Sequence, residues 1–262
     1  MFGLTFAQET SVELELLHAA DSLQTASQYD SAVQVYEKAI QIAEGKSNKA
    51  VIVGAYNGIG LTHIALSKYQ LAESTIRKSI KIGNSLVDKN HPMLAGAYVS
   101  LGYCYSHMQR IRDAIDNYEI GIGMFRAGIG EENKQCAEAY SRLGAAYYLL
   151  GNSSQQAIEL LEQSISIYHK LNMSQTLEMA RVFNDLANVL QDEQRFDQAI
   201  ELHGQSLSIK KSQLEPLHPE IGVSNYNLGR IYYSMGDYTK ASEHYQITLE
   251  VDLHTFGPDH RW

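Results

Sequence analysis

Apolar and small residues recur at helical spacing on both sides of a glycine–aspartate pair near the end of the chain. Between Leu228 and Tyr245 they precede Gly236-Asp237 at intervals of one helical turn and follow it in the same way. A 3.6-residue period on each side of a turn signal is typical of two amphipathic helices. The segment therefore predicts two helices packed as a hairpin.

The same pattern occurs six times, and an alanine after each turn sets the register. Successive register alanines are 40, 42, 43, 42 and 42 residues apart: Ala32, Ala72, Ala114, Ala157, Ala199 and Ala241. A fixed period of this length is the sequence signature of a stacked repeat array. We expect an array at 11–256 with repeats at 11–47, 48–90, 91–130, 131–172, 173–217 and 218–256, after an apolar lead-in at 1–10 and before a linker at 257–262.

Small residues on the first helix of four repeats predict close contact within each hairpin. Glycine occupies this position at Gly60, Gly102, Gly144 and Gly229. We expect each glycine to face the second helix of its own repeat, where a small residue lets the two backbones approach. A large side chain at such a contact would cost roughly 1–3 kcal/mol through overpacking.

The composition fits a folded helical protein with an uneven charge. Hydrophobic residues make up 44% of the chain, and only four prolines, which break helix interiors, occur in 262 residues. Residues 1–130 carry 11 basic and 12 acidic side chains, whereas residues 131–262 carry 10 and 18, an excess of eight negative charges. This half would repel nucleic acid and favours partners with some positive charge.

The sequence carries no motif for catalysis or metal binding. Cys104 and Cys136 are the only cysteines, and the ten histidines include no metal-spaced pair. The glycines around Gly121-Ile122-Gly123 lack the spacing and the preceding strand of a dinucleotide loop, and indicate small residues where helices cross. No apolar run approaches the length of a membrane span. We expect a non-enzymatic protein without cofactor, metal or membrane insertion.

The repeats resemble the tetratricopeptide repeat (TPR) of the kinesin light chain type. The resemblance rests on the 42-residue spacing, on the pairs His91-Pro92 and His218-Pro219 that open two repeats, and on Phe183-Asn184-Asp185-Leu186-Ala187 and Tyr226-Asn227-Leu228-Gly229. It covers roughly residues 12–256. It implies an all-α fold, a right-handed superhelical solenoid of six helical hairpins, in which the first helices line a concave groove that binds a protein or peptide.

The groove positions implied by the resemblance differ between the two halves of the chain. In repeats one to three they are small or apolar: Leu14, Leu17, Gly54, Gly58, Leu61, Ile64, Gly96, Ser100 and Tyr103. In repeats four to six they are polar: Glu138, Arg142, Tyr148, Arg181, Asn184, Asp185, Asn188, Gln191, Asn227, Arg230 and Tyr233. We expect a ligand with apolar anchors toward the first half and polar contacts toward repeats five and six.

Three asparagines are the centre of the predicted peptide-binding site. Asn184 and Asn188 are four residues apart on one helix face, and Asn227 should lie beside them on the next repeat. An amide side chain donates and accepts at once, so a ladder of amides can hold an extended peptide backbone, as in peptide-binding relatives. The alternative is a set of solvated groove residues with no ligand. The candidate site residues are Asn184, Asn188, Asn227, Arg230, Tyr233, Arg142 and Arg181.

The resemblance implies a protein- or peptide-binding scaffold or adaptor, and two other functions stay open. One is a sensory or regulatory segment of a larger bacterial signalling protein or protease. The other is self-association through uncapped ends of the array, because an uncapped terminal repeat exposes its stacking surface.

Both ends of the chain carry predictions. Residues 2–8 resemble the end of a bacterial secretory signal but lack its basic region and a long apolar run. We expect an ordinary apolar cap and a cytoplasmic protein, with a missing upstream part as the alternative. In the resembled family, Gly257-Pro258-Asp259-His260 precedes another repeat. We therefore expect a piece of a longer protein, the alternative being a natural end buried by self-association.

Overall fold

All regular secondary structure in the described residues is α-helical. The structure is a computed structural model that describes residues 11–86, 88–151 and 153–257. The helices, α1 to α12 in chain order, are Val12–Thr25, Tyr29–Gly45, Lys49–Ala65, Tyr69–Gly83, Pro92–His107, Ile111–Gly128, Lys134–Leu150, Ser154–Lys170, Leu177–Asp192, Phe196–Gln213, Pro219–Ser234 and Tyr238–Phe256. The predicted lead-in at 1–10 and most of the linker at 257–262 lie outside the described residues.

The helices form two compact units, divided between Glu131 and Glu132. Unit 1 contains α1 to α6 and unit 2 contains α7 to α12. Within each unit, odd- and even-numbered helices pair as three hairpins, and each hairpin packs against the next. The prediction of an all-α array of six helical hairpins is confirmed.

The register alanines and the predicted glycines lie at the closest contacts within the hairpins. All six alanines are buried, with exposed fractions between 0% and 2%. A Cβ added to Gly102 would lie 2.8 Å from the Tyr118 ring and 2.9 Å from the carbonyl oxygen of Ala114. The corresponding distance from Gly229 to the Tyr245 ring is 2.6 Å. The backbones of paired helices thus approach at these glycines, as the sequence predicts.

A side-chain hydroxyl joins the two helices of several hairpins at one equivalent position. Ser79, Ser164 and Ser206 each donate to a carbonyl oxygen on the first helix of their own hairpin at 2.7 Å, and Thr248 does so at 3.2 Å. The equivalent residue of the third hairpin is Gly121, whose added Cβ would lie 3.0 Å from the Ala95 carbonyl oxygen. Gly121 is therefore a helix-crossing residue, as predicted.

The turn inside each hairpin contains one residue with positive φ, five or six positions before the register alanine. Two of these residues are Gly151 and Gly236, with φ of +86° and +82°. The other four carry side chains, although this backbone region disfavours residues with a Cβ: Ser27, Ser67, Gln109 and Gln194, with φ between +57° and +61°.

Substituting glycine for the side-chain residue of such a turn should stabilise the protein. We expect Gln194→Gly to raise the free energy of unfolding by about 0.5–1 kcal/mol, because glycine relieves a left-handed strain of about 1–2 kcal/mol but loses more chain entropy on folding. Gln198→Gly, inside α10, is the opposite control and should destabilise. Urea denaturation measures both variants, and a destabilised Gln194→Gly would show that the turn carries no strain.

The histidines of the two His-Pro pairs cap the helices that the prolines begin. Pro92 and Pro219 occupy the first turns of α5 and α11, as their fixed φ favours. The ring Nδ1 of His91 accepts from the Met93 backbone N–H at 3.2 Å, and His218 does the same for Glu220 at 3.2 Å. The pair is therefore a combined start signal, in which the imidazole satisfies a backbone donor that the helix leaves free.

Candidate functional site

A depression of about 330 Å³ lies on the first helices of the three hairpins of unit 2. Tyr148 reaches it from α7, and Val223, Asn227 and Arg230 reach it from α11. Helix α9 lies between these helices and supplies the remaining lining residues: Asn184, Asn188, Gln191 and Asp192. The depression therefore contains the three predicted asparagines and Arg230.

Two of the asparagines are already hydrogen-bonded to each other. The Asn227 Nδ2 amide donates to Asn184 Oδ1 at 2.9 Å, from α11 to α9. By accepting this bond, the Asn184 oxygen orients the Asn227 amide, and Asn227 is 7% exposed. The sequence predicts their proximity but not this bond.

Asn188 and Arg230 keep their polar groups open. Asn188 is half-buried, and Arg230 is exposed with its guanidinium carbon 6.0 Å from the centroid of the Tyr226 ring. Within the part of the chain that the structure describes, neither side chain has a hydrogen bond to protein. An amide with donor and acceptor, beside a guanidinium with five donors, matches the alternating groups of a peptide backbone.

The other three predicted residues do not line the depression. Arg181 is exposed on α9, and Arg142 is half-buried on α7; both guanidinium groups act on the charge of Asp185. Tyr233 is 61% exposed, and its ring packs edge-on against Tyr238 with centroids 5.4 Å apart. Contact between these three residues and a ligand stays a prediction.

Asp185 carries an unusual carboxyl group beside the depression. Burial raises its pKa to about 6, although Arg181, the Asn184 amide, Lys210 and Arg142 all act in the opposite direction. Lys210 is itself buried and pairs with Glu220 at 2.9 Å. The wall next to the asparagines therefore combines one buried lysine, Lys210, with a half-buried carboxyl and further charges closer to the surface.

Asp192 and Val223 line the depression but are absent from the residues predicted from the sequence. Asp192 follows Asn188 by four positions on the same helix, so the rule that places Asn184 beside Asn188 also applies to it. Val223, 51% exposed, precedes Asn227 by four positions on α11 in the same way. Helical spacing from the asparagines is thus a signal sufficient to find both.

A search of the described residues finds no cluster of three or more histidine, cysteine or acidic side chains able to hold a metal ion. In the same residues, none of the helices has the length and apolar character required to cross a bilayer.

Comparison with known proteins identifies the repeats. The tetratricopeptide repeat family matches residues 51–127 and 178–262, and a second tetratricopeptide repeat description matches residues 16–46. The chain belongs to the tetratricopeptide repeat family. Neither match covers the stretch at 128–177, where α7 and α8 form a hairpin of the same kind.

The relatives place these TPRs in the kinesin light chain-like type. Kinesin light chain-related protein 2 of Arabidopsis thaliana is 25% identical over 252 residues, which cover 92% of this chain and 37% of the relative. The crystal structure of BtubC (BKLC) from P. vanneervenii superposes with a TM-score of 0.73 at 18% identity, covering 97% of this chain and 96% of that one. A putative kinesin light chain repeat structure from Podosopora anserina gives 0.63 at 21% identity, covering 77% and 95%.

The structural matches establish the TPR fold, and the curated relatives are longer than this chain. Its matched region spans between 36% and 52% of three of them. Family membership and these relatives support a protein–protein interaction scaffold.

The TPR groove positions predicted for unit 1 are partly wrong. Leu17, Ile64 and Ser100 are 3%, 4% and 6% exposed, so they are buried and not open to a ligand. A Cβ on Gly58 would lie 2.3 Å from the Tyr36 ring. The reason is that α1, α3 and α5 pack directly against one another, with side chains filling the space that small residues leave. These positions do not supply open apolar anchors.

Proposed function

We propose that the protein is a non-catalytic scaffold that binds an extended peptide segment of a partner in the unit 2 depression. The observation that carries the proposal is the Asn227–Asn184 hydrogen bond, which fixes one amide on α11 beside the free amide of Asn188 on α9. Amides fixed on neighbouring hairpins can bond successive peptide groups. Each such bond contributes about 0.5–1.5 kcal/mol net.

The residues have different roles in this proposal. Asn188 and Asn227 contact the peptide backbone, Asn184 positions Asn227, and Arg230 donates to a peptide carbonyl. Exposed Arg181 and Tyr233, with Arg142, contact side chains outside the depression. The excess of eight negative charges in residues 131–262 attracts partners with positive charge.

The proposal predicts a loss of affinity when the amides are removed. For a peptide selected from a displayed random library on the intact chain, changing Asn184, Asn188 and Asn227 together to alanine should lower affinity at least about tenfold. Asn188→Ala alone should weaken binding without loss of stability, because its amide has no protein partner within the described residues. Isothermal titration measures affinity, and circular dichroism confirms retained helicity.

Two variants control this experiment. Asn172→Gly removes an amide from the loop between α8 and α9, outside the depression, at a positive φ that glycine accepts, and should leave affinity unchanged. Asn184→Ala should lower stability by about 1–3 kcal/mol, because it leaves the Asn227 amide buried without its acceptor. Equal peptide affinity for the triple variant and the unmodified protein would show that the depression is not the binding site.

A further inference from the structure

One end of the depression is lined by hydrogen-bond acceptors from α7 and α9. The Tyr148 hydroxyl donates to Asp192 Oδ2 at 2.5 Å, which joins the two helices at their ends. No hydrogen bond engages Asp192 Oδ1 in the described parts of the chain. Burial and the bond to Asp192 raise the pKa of Tyr148 to about 12, so the phenol stays protonated and its oxygen can still accept.

Gln191 adds an acceptor that the protein leaves unsatisfied. The side chain is 8% exposed, and its Oε1 has no hydrogen-bond partner among the described residues. Leaving such a buried acceptor unpaired is unfavourable, so a donor from a ligand would be gained at this point. Gln191 lines the depression, and the last torsion of glutamine is broad, so a modest rotation turns the oxygen toward a ligand there. The arrangement calls for a nitrogen donor.

A lysine ammonium satisfies these acceptors better than a peptide N–H does. It carries three donors on one nitrogen, and the Asp192 carboxylate supplies the matching negative charge. A peptide N–H would satisfy a single acceptor and leave the carboxylate without a countercharge.

We propose that the acceptors of Tyr148, Gln191 and Asp192 form a subsite for a lysine side chain of the bound peptide. This inference rests on the proposed function, because the peptide backbone held by Asn188 and Asn227 delivers the lysine. The subsite would select lysine at one position of the peptide, in addition to the general preference of unit 2 for positively charged partners.

Arg230 makes the subsite depend strongly on Asp192. Its guanidinium lies in the same depression and repels an arriving ammonium. With Asp192 ionised the two protein charges offset each other, and the neutral acceptors favour a cation. Without Asp192 only the positive charge of Arg230 is left. Removing one carboxylate should therefore abolish lysine selection.

Two short peptides that differ only in the terminal ammonium of one side chain test the subsite on the intact chain. The first is acetyl-Ala-Ala-Lys-Ala-Ala-amide, and the second replaces lysine by norleucine. Amide proton–nitrogen NMR follows the side-chain signals of Gln191, Asn188 and Asn227 during titration. We expect the lysine peptide to bind at least about fivefold more tightly and to shift the Gln191 signal, which the norleucine peptide leaves in place.

Variants separate the subsite from the general acidity of unit 2. Asp192→Asn and Gln191→Met should each reduce the lysine-over-norleucine preference, Asp192→Asn to about onefold. Glu162→Gln removes the same charge from an exposed site on α8 and should keep the preference. A preference that survives Asp192→Asn, or is lost equally in Glu162→Gln, overturns the proposal.

The pattern of shifted signals also separates this inference from the proposed function. Equal binding of both peptides at Asn188 and Asn227 overturns the lysine subsite and leaves the peptide groove intact. Shifts at Gln191 with the lysine peptide, without shifts at Asn188 or Asn227, support the subsite and overturn the backbone contacts. No shift with either peptide overturns both.

Discussion

Replacing His203 by leucine should stabilise the protein, most strongly in weak acid. His203 is fully buried in α10, and both ring nitrogens lack a hydrogen-bond partner among the described residues. The equivalent residues of the two flanking hairpins are Leu161 and Tyr245, so the position accepts an apolar side chain of similar size. Removing the unsatisfied nitrogens should raise the free energy of unfolding by about 1–3 kcal/mol at neutral pH.

The pH dependence has a definite sign. Burial, with the charges of Lys210 and Arg230, lowers the pKa of His203 from 6.5 to about 4. Between pH 6.5 and about pH 4 the imidazole is protonated in the unfolded chain but neutral in the folded protein. The free energy of unfolding therefore falls as the pH drops from about 6.5 to about 4. The shift corresponds to about 3 kcal/mol. His203→Leu should abolish this loss, so its advantage grows by that amount in acid.

Chemical denaturation at several pH values measures this effect in the His203→Leu variant. The control is His254→Gln, which removes an exposed imidazole from the end of α12 and should show no gain of stability in acid. A difference between His203→Leu and the unmodified protein that stays constant from pH 7 to pH 4 would contradict a neutral, buried His203.

The sequence is sufficient to predict the fold because each repeat places small residues at the same helix-contact positions. The register alanines, Gly102 and Gly229 identify helix contacts by size alone, and the structure places each at such a contact. Size does not say which neighbour fills the space. The register predicts an open groove at Gly58, yet the Tyr36 ring occupies the space beside it. A register therefore predicts the face of a residue but not whether a neighbouring helix covers it.

The candidate site is predictable in position but not in its bonding. Spacing places Asn227 beside Asn184, and the structure joins them at 2.9 Å. Side-chain torsions decide which amide forms this hydrogen bond and which has no partner among the described residues. These torsions do not follow from the spacing of residues in the sequence. The charge state of Asp185 is equally inaccessible to sequence reasoning, because it depends on burial between helices that are distant in sequence.

Substituting asparagine for Asp185 should stabilise the protein at neutral pH and have little effect in acid. Burial raises the pKa of this carboxyl from 3.8 to about 6, against the pull of Arg181, the Asn184 amide, Lys210 and Arg142. The folded protein thus holds a proton that the unfolded chain releases between these values. The protonated Asp185 carboxyl contributes its full stabilisation below about pH 3.8, and this stabilisation is lost as the pH rises through 6.

The amide of the Asp185→Asn variant would mimic the neutral carboxyl at every pH. We expect this variant to raise the free energy of unfolding by about 1–3 kcal/mol at pH 7 and by much less near pH 4. The upper limit is the free energy that corresponds to a rise of the pKa from 3.8 to about 6. Asp197→Asn, which changes an exposed carboxylate in the first turn of α10, is the control and should show no such gain at pH 7. A loss of stability at pH 7 would show that the surrounding cations outweigh burial.

His203 and Asp185 belong to the same hairpin, and their protonation acts in opposite directions over one pH range. As pH falls from 6 to 4, the buried imidazole destabilises the folded protein while the carboxyl of Asp185 stabilises it. The unmodified protein should therefore show a flatter response than either variant. In acid, the stability advantage of His203→Leu over the unmodified protein should increase, whereas the advantage of Asp185→Asn should decrease. Lys210 acts on the charge of both groups, so the double variant should depart from the sum of the two single variants, and denaturation of all four proteins at matched pH values measures this coupling.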